Sequence, residues 1–278
     1  MKDHLYSVFR LPRTLHQHGF LLRQLAQRAF SARHAGSYLG WLWTPVSTAV
    51  QFALYMVVFS AILQIKADGL GIDLARRPAV GFGVFLITGL VPFLALNDVV
   101  LRAARVFRAH ANLVQRVRMP AEVLVLGDVF GALMHHAISL VLVVAFCAVR
   151  GHLGLAGVPW VLLALLVFLL LVVGAALLVS VLGAFLPDVA EVIGLGMQVM
   201  FYAAPIVYPL ALVRSETIRT LIELNPLTPL VGVLRTGLVG AAPPSTAALL
   251  YLIAGGLLLL VIGSAAINRW RSSIPDLV

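Results

Sequence analysis

The stretch RAARVFRAHANLVQRVRMPAEVLVLGD at residues 102–128 is a basic island in an otherwise apolar chain. It holds five of the 20 Lys and Arg residues, namely Arg102, Arg105, Arg108, Arg116 and Arg118. On a helical wheel Arg102, Arg105, Arg108 and Arg116 gather on one side and the apolar residues beside them on the other, a pattern typical of a helix that lies along a membrane surface. Two interpretations fit: a solvated cytoplasmic loop that follows the positive-inside rule, and a docking element for a cytoplasmic partner.

The composition around this island is that of a membrane protein. Hydrophobic residues make up 61% of the 278-residue chain and charged residues only 11%, whereas ordinary soluble domains carry about 25% charged residues. The net charge of +9 does not indicate nucleic-acid binding here, because the basic residues lie at the ends of apolar spans. The single cysteine, Cys147, excludes an intramolecular disulfide.

The apolar runs predict an all-α integral membrane protein with six transmembrane helices, each close to the ~20 residues that a bilayer core requires. These spans occupy residues 41–63, 79–101, 129–149, 158–186, 192–213 and 245–268. Residues 1–40 form an N-terminal segment, within which residues 15–34 predict an amphipathic interface helix. Residues 269–278 form a tail. The segment 214–240 has two helical patches separated by NPLTP at 225–229, which predicts short re-entrant or surface helices.

The distribution of Lys and Arg predicts the orientation of the spans. The side that holds residues 1–40, 102–128 and 269–278 carries 13 of these residues, and the opposite side carries 7. Since positive charge favours the cytoplasmic side, we expect both termini and the basic island in the cytoplasm.

ATP hydrolysis by this chain is excluded by its lysines. A phosphate-binding P-loop needs Gly-Lys-Ser/Thr, and the only lysines are Lys2 and Lys66, preceded by Met and Ile. If ATP drives this protein, another chain supplies the ATPase. The chain also has no soluble domain large enough for a glycosyltransferase, so we expect it not to be an enzyme.

Polar residues inside the spans are few. His135 and His136 are adjacent, so on a helix they point about 100° apart and cannot chelate one ion together. We interpret them as structural or pore-lining residues and expect no metal site. Acidic residues are limited to Asp98 and Asp128 near span ends, which argues against ion-coupled secondary transport, where mid-span ionisable groups are the rule.

Aromatic residues concentrate in the first and fifth spans. They pack or form interfacial belts in most membrane proteins, and the alternative is that some line a path for sugars, whose C–H faces stack on aromatic rings. The residues concerned are Trp41, Trp43, Phe52, Tyr55 and Phe59 in the first span and Phe201, Tyr202 and Tyr208 in the fifth.

Four motifs spread over the whole chain resemble one known family. They are SYLGWLWTPVSTAVQFALYMVVFSAIL at 37–63, NLVQRVRMPAEVL at 112–124, LPDVAEVIGLGMQVMFYAAPIVYP at 186–209 and NPLTPLVGVLR at 225–235. Each motif is weak singly, but their order and spacing are similar to those of the membrane subunits of type-2 ABC exporters for bacterial surface polysaccharides, namely O-antigen, capsule and teichoic acid. One departure is Pro187-Asp188, where the family commonly has Arg-Asp.

The resemblance implies a homodimeric permease in the bacterial inner membrane, bound to two copies of a separate ATPase that holds ATP and magnesium, while this chain binds no cofactor. It implies that a lipid-linked polysaccharide is exported from cytoplasm to periplasm along a path between the first and fifth spans. It further implies that residues 102–118, with Glu122, overlap a coupling helix, that the N-terminal amphipathic helix is a second contact with the ATPase, and that residues 214–240 form gate helices. The gate residues are then expected to be Pro205, Asn225 and Pro226. The alternatives are an exporter of a drug or small lipid, and an integral-membrane lipid-sugar transferase or carrier.

Overall fold

A computed structural model describes residues 2–58, 81–117 and 119–277, the first eight of them as backbone only. The described residues form twelve α-helices. Their bounds are α1 Lys2–Gln17, α2 Gly19–Ala32, α3 Trp43–Met56, α4 Phe82–Ala109, α5 Ala111–Arg116, α6 Ala121–Val149, α7 Val158–Phe185, α8 Val189–Tyr202, α9 Glu216–Leu224, α10 Leu227–Val239, α11 Thr246–Trp270 and α12 Ile274–Leu277.

Four of the described helices are long and apolar enough to cross a membrane, judged by length and composition. They are α4, α6, α7 together with the helical turn that precedes it from Leu155, and α11. The chain is therefore an all-α protein with several membrane-compatible helices. Helices α7 and α11 begin and end within two residues of the predicted fourth and sixth spans.

The predicted fifth span is not one helix. Helix α8 covers 14 residues, a turn segment follows at residues 203–209, and a 3-10 helix occupies Leu210–Leu212. The predicted first span is described only to residue 58, as α3 and two further helical residues. Its last residues, 59–63, and the first two of the second span lie outside the described residues. The count of six spans therefore stays a prediction.

The prediction of one separate surface helix over residues 102–118 was wrong. Helix α4 continues through residue 102 to Ala109 without a break, and only the six-residue α5 is separate from it. The reason is that Ala103, Ala104, Val106 and Phe107 are all buried. The arginines of this stretch therefore occupy the remaining side of a continuing, packed helix. Helix α6 likewise begins at Ala121, eight residues before the predicted third span.

The predicted interface helix at 15–34 is also divided. Helix α1, which the sequence pattern did not predict, ends at Gln17, and α2 begins at Gly19. Helix α1 packs mainly against α11, whereas α2 packs against α6. The apolar side of α2 therefore contacts protein, while its polar side, with Arg23, Gln24, Gln27 and Arg28, is exposed.

Small residues set the helix packing. A Cβ on Gly174 of α7 would lie 2.4 Å from the Leu260 nitrogen of α11, and a Cβ on Gly263 would lie 2.5 Å from the Gly174 oxygen. Only glycine permits such a close approach of two backbones. Four residues earlier on both helices, Gly256 faces Leu170. The contacts therefore advance in the same direction along both helices. Helices α7 and α11 therefore run parallel.

Other contacts give the bundle two distinct ends. Gly183, near the end of α7, touches Ala104, near the end of α4, so these helices finish together. We call this the basic end. The end of α11 and the start of α6 also lie there. Helix α1 lies there through its contacts with α11, and α12 through its contacts with α5. Helix α10 lies at the opposite end, where Gly237 touches Gly157 and Val161.

Candidate functional site

The arginines of the basic end fall into two groups. Arg105 and Arg116 are exposed at the surface. Arg108 is exposed too, but it donates hydrogen bonds from Nε to the Gly183 oxygen and from Nη2 to the Ala184 oxygen, both at 3.1 Å. Those carbonyls belong to the last turn of α7, where no further helical N–H can reach them. Arg108 thus caps α7, and its guanidinium is engaged within the chain.

The remaining predicted coupling residues are placed differently again. Arg102 points into the helix bundle and pairs with Asp98 one turn earlier on α4. Glu122 lies in the first turn of α6, half-buried, and lines a small cavity together with Arg10 and Arg271. Arg118 lies outside the described residues. Fewer of these side chains are therefore free for a partner than the basic island suggests. The coupling role of the island stays a prediction.

Asp98 is the centre of an ionic cluster that the sequence alone did not reveal. Its Oδ1 accepts a hydrogen bond from Arg102 Nε at 3.0 Å. Its Oδ2 accepts one from Arg33 Nη2 at 2.9 Å and lies 3.0 Å from His136 Nε2. Arg33 follows the last residue of α2, and His136 lies on α6. One carboxylate therefore joins three helices.

A second polar chain links α3 to its neighbours. Thr44 Oγ1 is hydrogen-bonded to His34 Nε2 at 2.8 Å and to His135 Nδ1 at 3.0 Å. One turn along, Thr48 Oγ1 and Ser139 Oγ are 2.9 Å apart. Both contacts with α6 advance by four residues, so α3 and α6 run parallel. His135 and His136 take different partners, as the 100° between them on the helix predicts.

The predicted aromatic path residues do not converge within one chain. Trp41, Trp43 and Tyr202 are exposed. Phe201 packs against Phe93 of α4, with ring centroids 4.9 Å apart. Phe52 and Tyr55 are half-buried. The Tyr208 hydroxyl donates a hydrogen bond to the Tyr202 oxygen. Phe59 lies outside the described residues. Helices α3, with Trp43, and α8, with Tyr202, both pack against α4. The role of the aromatic residues in a path stays a prediction.

Asn225, one of the predicted gate residues, is hydrogen-bonded to the end of α8, where the predicted fifth span is interrupted. Its Nδ2 donates to the Met200 and Ala203 oxygens, both at 3.1 Å, and its Oδ1 accepts from the Leu227 nitrogen at 3.0 Å. The first two carbonyls lie at the end of α8, and Leu227 is the first residue of α10. Asn225 thus ties the end of one helix to the start of the next, with Pro226 as the N-cap of α10.

Arg235 satisfies the next two carbonyls of the same break. It is 6% exposed, and its Nη1 and Nη2 donate to the Pro205 oxygen at 2.7 Å and to the Ile206 oxygen at 3.2 Å. Nη2 also donates to the Phe85 oxygen at 2.9 Å, and the guanidinium lies 3.4 Å from the centre of the Phe85 ring. Gly89 leaves the necessary room, because a Cβ there would be 2.7 Å from Nη2.

These contacts show what holds the break together. A helix that stops at membrane depth leaves carbonyls that water cannot reach and that must find donors within the protein. Residues 225–235 supply those donors from two side chains. Arg235 could have been noticed in the sequence, because it is the only charged residue of α10. Whether this segment acts as a gate stays a prediction.

Comparison with known proteins places the chain in context. Residues 21–239 match the family model described as ABC-2 type transporter, which takes in α2 to α10. An O-antigen export system permease protein, RfbA, from Myxococcus xanthus is 26% identical over 81% of this chain and 82% of its own length. A protein of the same name from Klebsiella pneumoniae is 24% identical over 76% and 77%. The polysialic acid transport protein KpsM from Escherichia coli is 21% identical over 76% and 78%.

Proposed function

Since the chain belongs to the ABC-2 type transporter family, we propose that it is the permease subunit of an ABC exporter for a lipid-linked polysaccharide of O-antigen or similar type. The observation that carries this proposal is the shared theme of its relatives. Proteins from three organisms, aligned over three-quarters or more of both chains, are named for O-antigen export or polysialic acid transport. The polymer moves from cytoplasm to periplasm, and a separate ATPase subunit supplies the energy, because this chain has no P-loop.

In this proposal the chain crosses the bacterial inner membrane six times with its basic end in the cytoplasm. The fourth and sixth spans are α7 and α11, whose parallel course fits two crossings in the same sense. The exposed Arg105 and Arg116 lie at the basic end, as do α1 and α12 near the two termini. The positive-inside rule favours this orientation.

A homodimer provides the path. The described surface includes two apolar stripes, one on α3 with Val50 and Leu54, 63% and 58% exposed, and one on α8 with Leu195 and Val199, 67% and 68% exposed. The exposed Trp43 and Tyr202 lie on the same two helices. A second copy that packs on these faces would bring the aromatic rings of both chains around one central passage, while each chain contributes its own residues 203–240 as a gate.

The ATPase docks on the basic end, with two copies for the two permease chains. Among the described arginines of the island, Arg102 and Arg108 are hydrogen-bonded within this chain, whereas Arg105 and Arg116 are exposed. Guanidinium groups at a surface favour acidic partners. We therefore place the acidic side of a cytoplasmic ATPase against these two residues.

The experiment that tests the proposal is purification of the tagged chain from its native membrane in mild detergent, with identification of the bound proteins. We expect a stoichiometric ATP-binding-cassette subunit, and an ATPase activity that a lipid-linked glycan from the same cell stimulates. A folded chain without any ATPase subunit would contradict the exporter and favour the transferase or carrier.

The nature of the cargo is tested by aromatic substitutions. In a strain that depends on this chain, Trp41→Ala and Tyr202→Ala should lower the amount of surface polysaccharide, because a sugar path loses stacking surfaces. Phe146→Ala is the matched control, since Phe146 is an exposed aromatic of α6 outside the proposed path. Normal surface polysaccharide in all three strains, with normal protein levels, would favour a drug or small-lipid exporter instead.

A further inference from the structure

We propose that Asp98 is a positioning residue that makes α2, α4 and the start of α3 move as one unit when the partner ATPase acts on α2. This inference rests on the proposed function and adds a residue to it. Asp98 touches neither cargo nor nucleotide in this scheme. It transmits a displacement from the cytoplasmic surface into the membrane-spanning helices.

The contacts of Asp98 place it at the right point for such a role. Arg33, which pairs with it at 2.9 Å, is the C-cap of α2. The other two partners, Arg102 and His136, fix the carboxylate to α4 itself and to α6. Among the described residues, Arg33–Asp98 is the one ion pair that joins α2 to another helix. A movement of α2 along its axis therefore pulls directly on α4.

The next residue along the chain closes a polar ring. His34 is hydrogen-bonded to Thr44 near the start of α3, and Thr44 is hydrogen-bonded to His135, the neighbour of His136. Two bridges thus leave adjacent residues at the end of α2 and arrive at adjacent residues of α6. One passes through α4 and the other through α3. Both bridges hold Arg33 and His34, the residues that follow α2 and lead to α3. A shift of α2 therefore also displaces the start of α3.

The ion pairs of Asp98 are partly buried, which makes them stronger than exposed ion pairs. The Asp98 side chain is 20% exposed, and those of Arg33 and His136 are 26% and 13% exposed. By contrast, the Arg219–Glu223 pair has nearly the same atom separation, 3.0 Å, but is 54% and 50% exposed. Exposed pairs contribute little because water screens them. A charge in the less polar setting of Asp98 is stabilised mainly by its partners, so removal of one partner leaves a costly unpaired group.

The remaining contacts of α2 are mainly with α6. Gly127 and Gly131 of α6 lie against Leu25 and Ala29 of α2. These are close contacts between small or apolar groups, and they hold the two helices together by shape. The Arg33–Asp98 pair adds a directional link from the end of α2 to α4, and His136 ties the same carboxylate to α6.

The test uses the assembled complex of this chain with its ATPase in proteoliposomes loaded with the lipid-linked glycan. Asp98→Asn keeps the shape of the side chain and removes its charge. We expect normal assembly and an ATP hydrolysis rate close to that of the wild type. Polymer exported per ATP hydrolysed should fall at least about fivefold, the lower limit of a typical coupling between two sites. Asp98→Glu, which restores the charge, should recover part of the export.

A second variant keeps the proposal testable if Asp98→Asn does not assemble. Arg33→Gln removes the link to α2 and leaves Asp98 with two partners, so we expect the same loss of export per ATP with less effect on folding. The Arg33→Gln and Asp98→Asn changes combined should be no worse than Asp98→Asn alone, because they break one interaction. The controls are the wild type and Arg150→Gln, a change at an exposed site away from the basic end, and the two should behave alike.

Two results would overturn the proposal. One is an export per ATP in Asp98→Asn and Arg33→Gln that stays within the range of the controls. The other is a parallel loss of assembly, ATP hydrolysis and export in both variants, which is what a purely structural role produces. Failure of the proposed function looks different, because the wild-type complex itself would then show no ATP-dependent export.

Discussion

Asn225→Asp is the substitution that most directly tests how the broken fifth span is held. The two side chains have the same shape, but the aspartate has an oxygen where Asn225 has its Nδ2 donor. The Met200 and Ala203 oxygens, each 3.1 Å from that nitrogen, would lose their donor. They would face a third oxygen instead, while the acceptor for the Leu227 nitrogen is kept.

The size of the effect follows from burial. Asn225 is 9% exposed, so water replaces the lost donors poorly, and a buried polar group left unsatisfied costs about 1–3 kcal/mol. Two carbonyls therefore give a destabilisation of about 2–6 kcal/mol. At about 2–4 °C per kcal/mol for a chain of this size, we expect the unfolding temperature to fall by roughly 5 °C or more. Asn225→Ala also removes the acceptor for Leu227 and should be affected at least as strongly.

The chain contains its own probe for this measurement. Cys147 is the only cysteine and is 0% exposed, so a thiol-reactive fluorophore reacts with it only as the protein unfolds. Detergent-purified protein is heated with the dye, and the midpoint is compared with that of Asn112→Asp, a change at an exposed asparagine of α5. An Asn225→Asp midpoint equal to that of the Asn112 control would refute the view that Asn225 satisfies the carbonyls of the break.

Two further contrasts test the basic end and the helix packing. Arg105→Glu should reduce copurification of the ATPase without lowering the unfolding temperature, whereas Arg108→Glu should lower that temperature because it puts a carboxylate against the last carbonyls of α7; equal thermal stability of the two would contradict the capping role. Gly263→Ala puts a Cβ 2.5 Å from the Gly174 oxygen and should cost about 1–3 kcal/mol as overpacking does. Gly255→Ala, with nothing within 4 Å, should match or exceed the wild type in the same thermal assay.

Hydropathy predicted the membrane class and the bounds of α7 and α11 well, and the physical reason is simple. A helix whose every side is apolar can be stable only in lipid or in a large core, so a run such as 158–186 has few other structures open to it. Pro205 and Pro209 lie in the turn segment that interrupts the fifth span, where a continuing helix would lose hydrogen bonds to proline. Local sequence is sufficient when one segment meets a strong requirement by itself.

The errors lie where a segment depends on distant partners. Residues 102–109 have the charge pattern of a surface helix, yet they continue α4 because their apolar side packs in the core. Asp98 was noticed only as an acid near a span end, since its partners Arg33 and His136 are 65 and 38 residues away in the sequence. Arg235 meets Pro205 across 30 residues. No periodicity in one window can reveal such pairs.

Helix α4 connects the two polar sites of this chain. Near its start, Phe85 and Gly89 form the socket for Arg235, which holds the break of the fifth span. Nine residues after Gly89, Asp98 holds the end of α2, a separation of about 14 Å at 1.5 Å per residue. Pro92 lies between them inside the helix. Because proline removes a helical hydrogen bond, bending α4 costs least there. A displacement of α2 that preserves its ion pair must therefore move the Arg235 socket or bend α4 at Pro92. The Asp98 variants separate the two sites by cutting this connection at its cytoplasmic end.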